Sequence, residues 1–225
     1  MAESPAASIK GEVLIEEPSA AQRTVARRTA EARATIPHVE LATEIELGSA
    51  AGAHAPASLT PRLVRACAHA LRAVPRANAA YSDGRFELYS RINVGVVVAT
   101  GEAYVIPTVF DADRKGLDEL TAEVEELTAL AGARRLAPPA FSGATFTLWN
   151  AGALGLTSAG IVINPPQAAA LATGAVRAVA VVPDGEAAAR SARVITATLA
   201  CDHRILYGAE AARFLSELRA RLEGG

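Results

Sequence analysis

The sequence predicts an α+β fold, a mixed β-sheet flanked by helices on one side, and three observations carry that prediction. Runs of β-branched and aliphatic residues recur along the chain, bounded by turn residues. Four segments between them show helical spacing instead of alternation. Strands come in runs with a few helices interspersed, and no internal repeat is visible, a pattern that suggests α+β.

Composition narrows this further. Of the 225 residues 51% are apolar, enough for a sizeable core, yet only 4% are aromatic, so Ala, Val and Leu must do the packing. The expected organisation is a flexible N-terminal segment, residues 1–18, followed by one domain over residues 19–225. A net charge of -2 offers no attraction to nucleic acid or to an anionic membrane. The two cysteines, Cys67 and Cys201, sit in apolar segments without metal-ligand spacing, which points to a reduced, intracellular protein with no metal site. No stretch approaches the roughly 18 apolar residues of a membrane span, and residues 1–17 lack the apolar core of a signal peptide. A soluble, cytoplasmic protein is expected.

The elements follow in order. Ser19 can cap a helix running to about Ala34, which Pro37 ends. From His38 to Leu47, Val39, Leu41, Thr43, Ile45 and Leu47 alternate with His38, Glu40, Ala42, Glu44 and Glu46, a half-buried strand with an acidic outer face. Gly48–Ser58 reads as a loop of small residues. Thr60-Pro61 opens a helix with the apolar stripe Leu63, Val64, Cys67, Ala70, Leu71 and Val74. Strands are expected at Arg85–Tyr89, Asn93–Ala99 and Tyr104–Phe110, the last two divided at Thr100-Gly101. A helix covers Leu117 to about Ala133, and Pro138-Pro139 is the best candidate linker. Four more strands are expected at Ala144–Trp149, Gly160–Asn164, Ala175–Val182 and Arg193–Ala200. The last helix, Ala209 to about Leu222, lines up Ala212, Leu215, Leu218 and Leu222.

The chemistry concentrates just before that helix, in Cys201-Asp202-His203-Arg204-Ile205-Leu206-Tyr207-Gly208. Imidazole is the side chain whose unperturbed pKa suits proton transfer near neutral pH. Here it closes a β-branched strand, and Gly208 would let the backbone turn sharply and bring the last helix close. Asp202 and Arg204 read as a charged pair that fixes this turn and holds the imidazole tautomer. His38, His54 and His69 lack partner spacing and read as structural. Gly152 and Gly155 fit turns better than a phosphate loop, since no lysine follows.

Several stretches, in this order, resemble the catalytic domain of the dihydrolipoamide acyltransferases. These are core components of 2-oxoacid dehydrogenase complexes and share the chloramphenicol acetyltransferase-like fold. The stretches are Val25-Ala26-Arg27-Arg28, Ala34-Thr35-Ile36-Pro37-His38, Ile92-Asn93-Val94-Gly95 and Val105-Ile106-Pro107. They continue with Phe146-Thr147, Asn150-Ala151-Gly152, Ile163-Asn164-Pro165-Pro166-Gln167-Ala168, and Asp202-His203-Arg204 with Gly208-Ala209. The resemblance covers Ser19 to the C-terminus. It implies a trimer-forming domain, homotrimers or larger shells, with active sites in channels between subunits. It also implies that His203 deprotonates a thiol for transfer between thioesters, with no tightly bound cofactor. Coenzyme A, a lipoyl group or a phosphopantetheine thiol would be the co-substrate. With no lipoyl arm expected on the chain itself, the expected partners are a separate lipoyl or acyl carrier protein and a thiamine-diphosphate-dependent dehydrogenase component.

The chain departs from the family pattern in ways that bear on its chemistry. Trp149, beside Asn150, aligns with the serine hydroxyl that stabilises the oxyanion in the family run Phe-Thr-Ile-Ser-Asn. Its indole N–H can replace that donor, or its bulk can fill the acyl pocket or the core. Tyr207 aligns with the Asp or Asn that follows the histidine, and its hydroxyl can replace either the lost donor or the orienting carboxylate. Both changes are expected in one pocket. A helix-bearing segment of the family is reduced to Gly48–Ser58, and no lipoyl or subunit-binding domain is expected before the catalytic region. Two rival readings follow: a catalytically degenerate scaffold subunit, and a small-molecule O-acetyltransferase.

Overall fold

The structure, a computed structural model, describes residues 11, 13–48, 59–101, 103–182 and 188–224. The expectations for most of residues 1–18, for Gly48–Ser58 beyond Gly48, and for His54 lie outside the described residues.

Helix α1 (Ala20–Thr35) begins at a capping box. Its Ser19 hydroxyl accepts the Gln22 backbone N–H at 3.3 Å, and the Gln22 side-chain Oε1 accepts the Ser19 backbone N–H at 2.7 Å. Ile36 leaves the helix in extended backbone, because Pro37 disfavours helical geometry in the residue before it, and the two residues end the helix. They lead into β1 (His38–Glu46). Helix α2 (Leu59–Ala73) buries Leu63, Val64, Cys67 and Leu71, as its stripe predicts. A hairpin of β2 (Ala79–Ser82) and β3 (Arg85–Leu88) follows. Its turn puts Asp83 at φ 48° and Gly84 at φ 75°, the conformation an Asp-Gly pair adopts between paired strands.

Short strands β4 (Val94–Val96), β5 (Val98–Ala99), β6 (Tyr104–Val105) and β7 (Thr108–Val109) replace the two longer ones expected. The break between β6 and β7 falls at Ile106-Pro107, where proline has no N–H to give a ladder. Helix α3 (Leu117–Gly132) buries Leu120, Val124 and Ala131. Pro138-Pro139 opens a short 3-10 turn, Pro138–Phe141, inside the domain. The chain then runs through β8 (Phe146–Asn150), β9 (Ala169–Thr173), β10 (Arg177–Val181), β11 (Arg190–Asp202) and α4 (Gly208–Glu223).

One strand prediction fails, and two strands go unpredicted. Gly160–Asn164 is not a strand, although Ile161 and Ile163 are buried: the segment crosses under the sheet as irregular chain and runs into Pro165-Pro166. Two strands are unannounced by the sequence pattern: β2, whose Ala79-Ala80 start carries little strand signal, and β9, fully buried and made mostly of alanine with Thr173 its single β-branched residue.

The principal sheet has seven strands, in the order β1-β11-β9-β8-β4-β7 with β10 also on β11. Pairings β1·β11, β9·β11, β10·β11 and β4·β7 are antiparallel, while β8·β9 and β4·β8 are parallel, so the sheet is mixed. One face carries Val94, Phe146, Leu148, Leu171, Ile195 and Leu199 and is covered by α2, α3 and α4. The other carries Ala170, Ala172, Ala200 and half-buried Trp149, and is covered by Ala32 and Ile36 of the α1 region and by Ile161 and Ile163.

Candidate active site

Strand β11 delivers the candidate base. Its last residue, Asp202, pairs with His38 on β1 and gives its N–H to the Ala168 carbonyl at 2.8 Å. The next N–H, of His203, reaches the Pro37 carbonyl at 3.0 Å, so the turn is stitched to both neighbours of β11. The His203 side chain is exposed.

Asp202 and Arg204 brace this turn from within. The Asp202 carboxylate, with 2% side-chain exposure, accepts Arg204 Nη2 at 2.6 Å, Arg204 Nε at 2.9 Å and the Arg204 backbone N–H at 3.0 Å. A two-pronged contact of this kind is both strong and directional. The hydrogen bonds it donates to Asp202 are the main reason the Arg204 guanidinium is held above its ordinary pKa, and burial works against them. The guanidinium also lies over the Tyr81 ring, 4.6 Å from its centroid. The acid and base flanking the histidine therefore satisfy each other.

Tyr207 sits edge-on to His203, with ring centroids 5.6 Å apart and planes at 79°. Its hydroxyl donates to the Arg204 carbonyl at 3.3 Å. The phenol is thereby tied to the turn, and its ring forms one wall beside the imidazole. Gly208 departs from its sequence reading. It is the first residue of α4, is not among the glycines with positive φ, and a Cβ added there meets nothing within 4 Å. Within the protomer, neither a tight turn nor a close approach requires glycine here.

Trp149 and Asn150 lie at the end of β8. Asn150 Nδ2 donates to Thr60 Oγ1 at 3.0 Å, tying β8 to the start of α2. Trp149 pairs with Ala172, which pairs with Thr198 on β11. Since His203 lies five residues beyond Thr198, the two sites are ~16 Å apart along the strands and ~10 Å apart across them. Within one protomer His203 and Tyr207 meet and Trp149 does not join them, so the single pocket expected of the three is not formed by one chain alone.

Cys201 is no rival nucleophile. Burial, with Asp202 beside it, pushes its thiol up to about 12, so it stays protonated at neutral pH. Among the described residues no cluster of three or more His, Cys, Asp or Glu could hold a metal ion, and no helix is long and apolar enough to cross a membrane. Sequence reasoning missed Gln167. Its carbonyl oxygen accepts Thr147 Oγ1 at 2.7 Å and its amide donates to the Ala144 carbonyl at 3.1 Å, pinning the segment before β9 to β8. A lone polar residue opening an alanine run was the available signal.

The strand order and the braced histidine turn define a protein of the chloramphenicol acetyltransferase-like fold. A solved chloramphenicol acetyltransferase superposes with a TM-score of 0.53 at 14% identity, covering 88% of this chain and 94% of its own. Residues 14–224 match the family 2-oxoacid dehydrogenases acyltransferase (catalytic domain), and the chain belongs to that family. It is 32% identical over 218 residues to the dihydrolipoyllysine-residue acetyltransferase component of the mitochondrial pyruvate dehydrogenase complex of Caenorhabditis elegans, covering 90% of this chain and 43% of the relative. The corresponding component of Zymomonas mobilis is 33% identical, with 90% of this chain and 48% of the relative covered. The chain thus spans less than half the length of these two relatives. The cubic core of the pyruvate dehydrogenase multienzyme complex superposes with a TM-score of 0.88 at 25% identity, covering 99% of this chain and 97% of its own.

Proposed function

We propose that this chain transfers an acyl group between thioesters, with His203 as general base. The observation that carries this reading is the exposed imidazole on a turn braced by Asp202 and Arg204, in a chain of the acyltransferase family. The thiol of coenzyme A, of a dihydrolipoyl group or of a carrier-bound phosphopantetheine gives its proton to His203. The thiolate attacks the thioester carbonyl carbon and a new C–S bond forms. The tetrahedral oxyanion collapses with cleavage of the old C–S bond, and the departing thiolate takes the proton back from the imidazolium. A thiol near pKa 8.5 needs only this modest assistance.

Trp149 enters the same reading from a neighbouring protomer. In a homotrimer, or in a larger shell of trimers, the end of β8 in one subunit faces the His203 turn of the next, and the indole N–H donates to the oxyanion. The acyl group arrives on a lipoyl group or an acyl carrier protein, loaded by a thiamine-diphosphate-dependent dehydrogenase component.

A scaffold reading draws on one observation: the Trp149 ring packs into the apolar cluster of Ala170, Ala172, Ile161 and Ile163. Acyl transfer followed by intact-protein mass spectrometry separates the two readings. His203→Ala is expected to lower turnover ~10²–10⁴-fold, the range for loss of a general base. Trp149→Phe, which keeps the bulk and removes the N–H, is expected to cost about a hundredfold. Turnover unchanged in His203→Ala overturns the catalytic reading, and unchanged turnover in Trp149→Phe alone removes the indole from it.

A further inference from the structure

Three stretches that are remote in sequence meet at His38: Ile36-Pro37, Ile163 and the His203 turn. Nδ1 of His38 lies 2.8 Å from the Ile36 carbonyl oxygen, and Nε2 lies 3.1 Å from the Ile163 amide nitrogen. The carbonyl only accepts, so Nδ1 carries the ring proton. The amide only donates, so Nε2 carries none. A single neutral tautomer satisfies both contacts, and neither ring nitrogen is left for chemistry. The side chain acts as a clasp.

What it clasps matters for the base. Between Ile36 and His38 stands Pro37, whose carbonyl accepts the His203 N–H at 3.0 Å. His38 itself pairs with Asp202 in the β1·β11 register. On the far side, Ile163 is 1% exposed, and the chain beyond it is held by Gln167 to Thr147 and Ala144. The clasp therefore joins the segment that holds the His203 backbone to one anchored on β8. Among the described residues the His203 imidazole has a ring contact from Tyr207 and no side-chain hydrogen bond. Its aim depends on the backbone from which it projects.

We propose that His38 is a positioning residue for His203, fixing the Pro37 carbonyl that holds the His203 backbone. The role in turnover rests on the acyl-transfer reading, whereas the bracing itself does not. A structural histidine and a positioning histidine both stabilise the fold, but only the second controls the chemical step. Small displacements of a reacting group have large kinetic effects, since about 1 Å can cost a hundredfold.

The test compares wild type with His38→Ala, His38→Asn, His38→Gln and His203→Ala. Steady-state kinetics, melting temperature and amide hydrogen exchange at His203 and Ile163 are measured on each folded variant. Asn can still donate near Nδ1 to the Ile36 carbonyl, and Gln can still accept near Nε2 from the Ile163 N–H. His38→Ala is expected to lower kcat ~10–100-fold while KM stays within about twofold, with faster exchange at the His203 amide. His38→Asn and His38→Gln are expected to recover part of kcat, and they carry the test if the alanine variant does not fold. A variant with a lower melting temperature but wild-type kcat overturns the positioning role. His203 exchange unchanged in all three overturns the bracing. If His203→Ala retains wild-type turnover, the acyl-transfer reading fails, and the exchange data still decide the bracing.

Discussion

The two faces of the sheet solve the packing problem in opposite ways. Toward α2, α3 and α4 the strands present large side chains, and Phe146 meets Phe214 of α4 with ring centroids 5.5 Å apart. Toward α1 and the 159–163 segment they present Ala170, Ala172 and Ala200, with the half-buried Trp149 packed against them. The first face is a conventional core built of helices on a sheet. On the second, small residues let irregular chain approach closely, and both His38 and the Pro37 carbonyl that holds His203 belong to that layer. Stability is thus concentrated on one face, and the positioning of the candidate base on the other.

Mutations can break that comparison. Phe146→Ala removes a fully buried ring from the helix-covered face and is expected to cost about 3–5 kcal/mol, read from denaturant unfolding. A loss below about 1 kcal/mol would mean that this face is not the main source of stability. On the alanine face the harmful change is addition. Ala172 lies beside Trp149 in register, so Ala172→Leu is expected to cost ~1–3 kcal/mol by overpacking. Combining it with Trp149→Ala should cost less than the sum of the single changes, and strict additivity would show that the two side chains do not touch.

The smallest effect sharpens the contrast by locating the charges. Hydrogen bonding from Arg190 holds the Glu46 carboxyl below its ordinary range, and Arg91 does the same for Asp111. Both pairs sit at the rim, outside either face. A carboxyl with a lower pKa when folded stabilises the fold at pH above its unfolded value, near 4. That contribution disappears as the pH falls through the folded value. The melting temperature is therefore expected to drop slightly between pH 6 and pH 3, and less so in Arg91→Gln and Arg190→Gln. An equal drop in wild type and variants would assign the acid sensitivity to other groups.

How much of this was legible depended on whether a residue's neighbours were local. The alternation of Val39 to Leu47 announces β1 because one face of that strand is wet. Strand β9 is buried on both faces and built largely of alanine, so it shows no alternation and little strand propensity. Ile161 and Ile163 look like strand residues, yet they pack beneath the sheet in a segment that ends at two prolines. Asp202-His203-Arg204 could be read directly, since the ion pair that braces it spans two residues. The role of His38 could not, because Ile163 stands 125 residues away.

The sequence by itself determined the class of fold, the identity of the candidate base and the local brace around it. Helical and strand periodicity, capping and short-range ion pairing are properties of neighbouring residues, and they survive without coordinates. Only the tertiary structure decided which strands lie side by side. That order put Trp149 far from His203 within one protomer, withdrew the close-packing role from Gly208, and brought Ile163 and the His203 turn to the Ile36-Pro37-His38 stretch. Strand order follows from burying both faces of the sheet at once, a condition on the whole chain that no single stretch encodes.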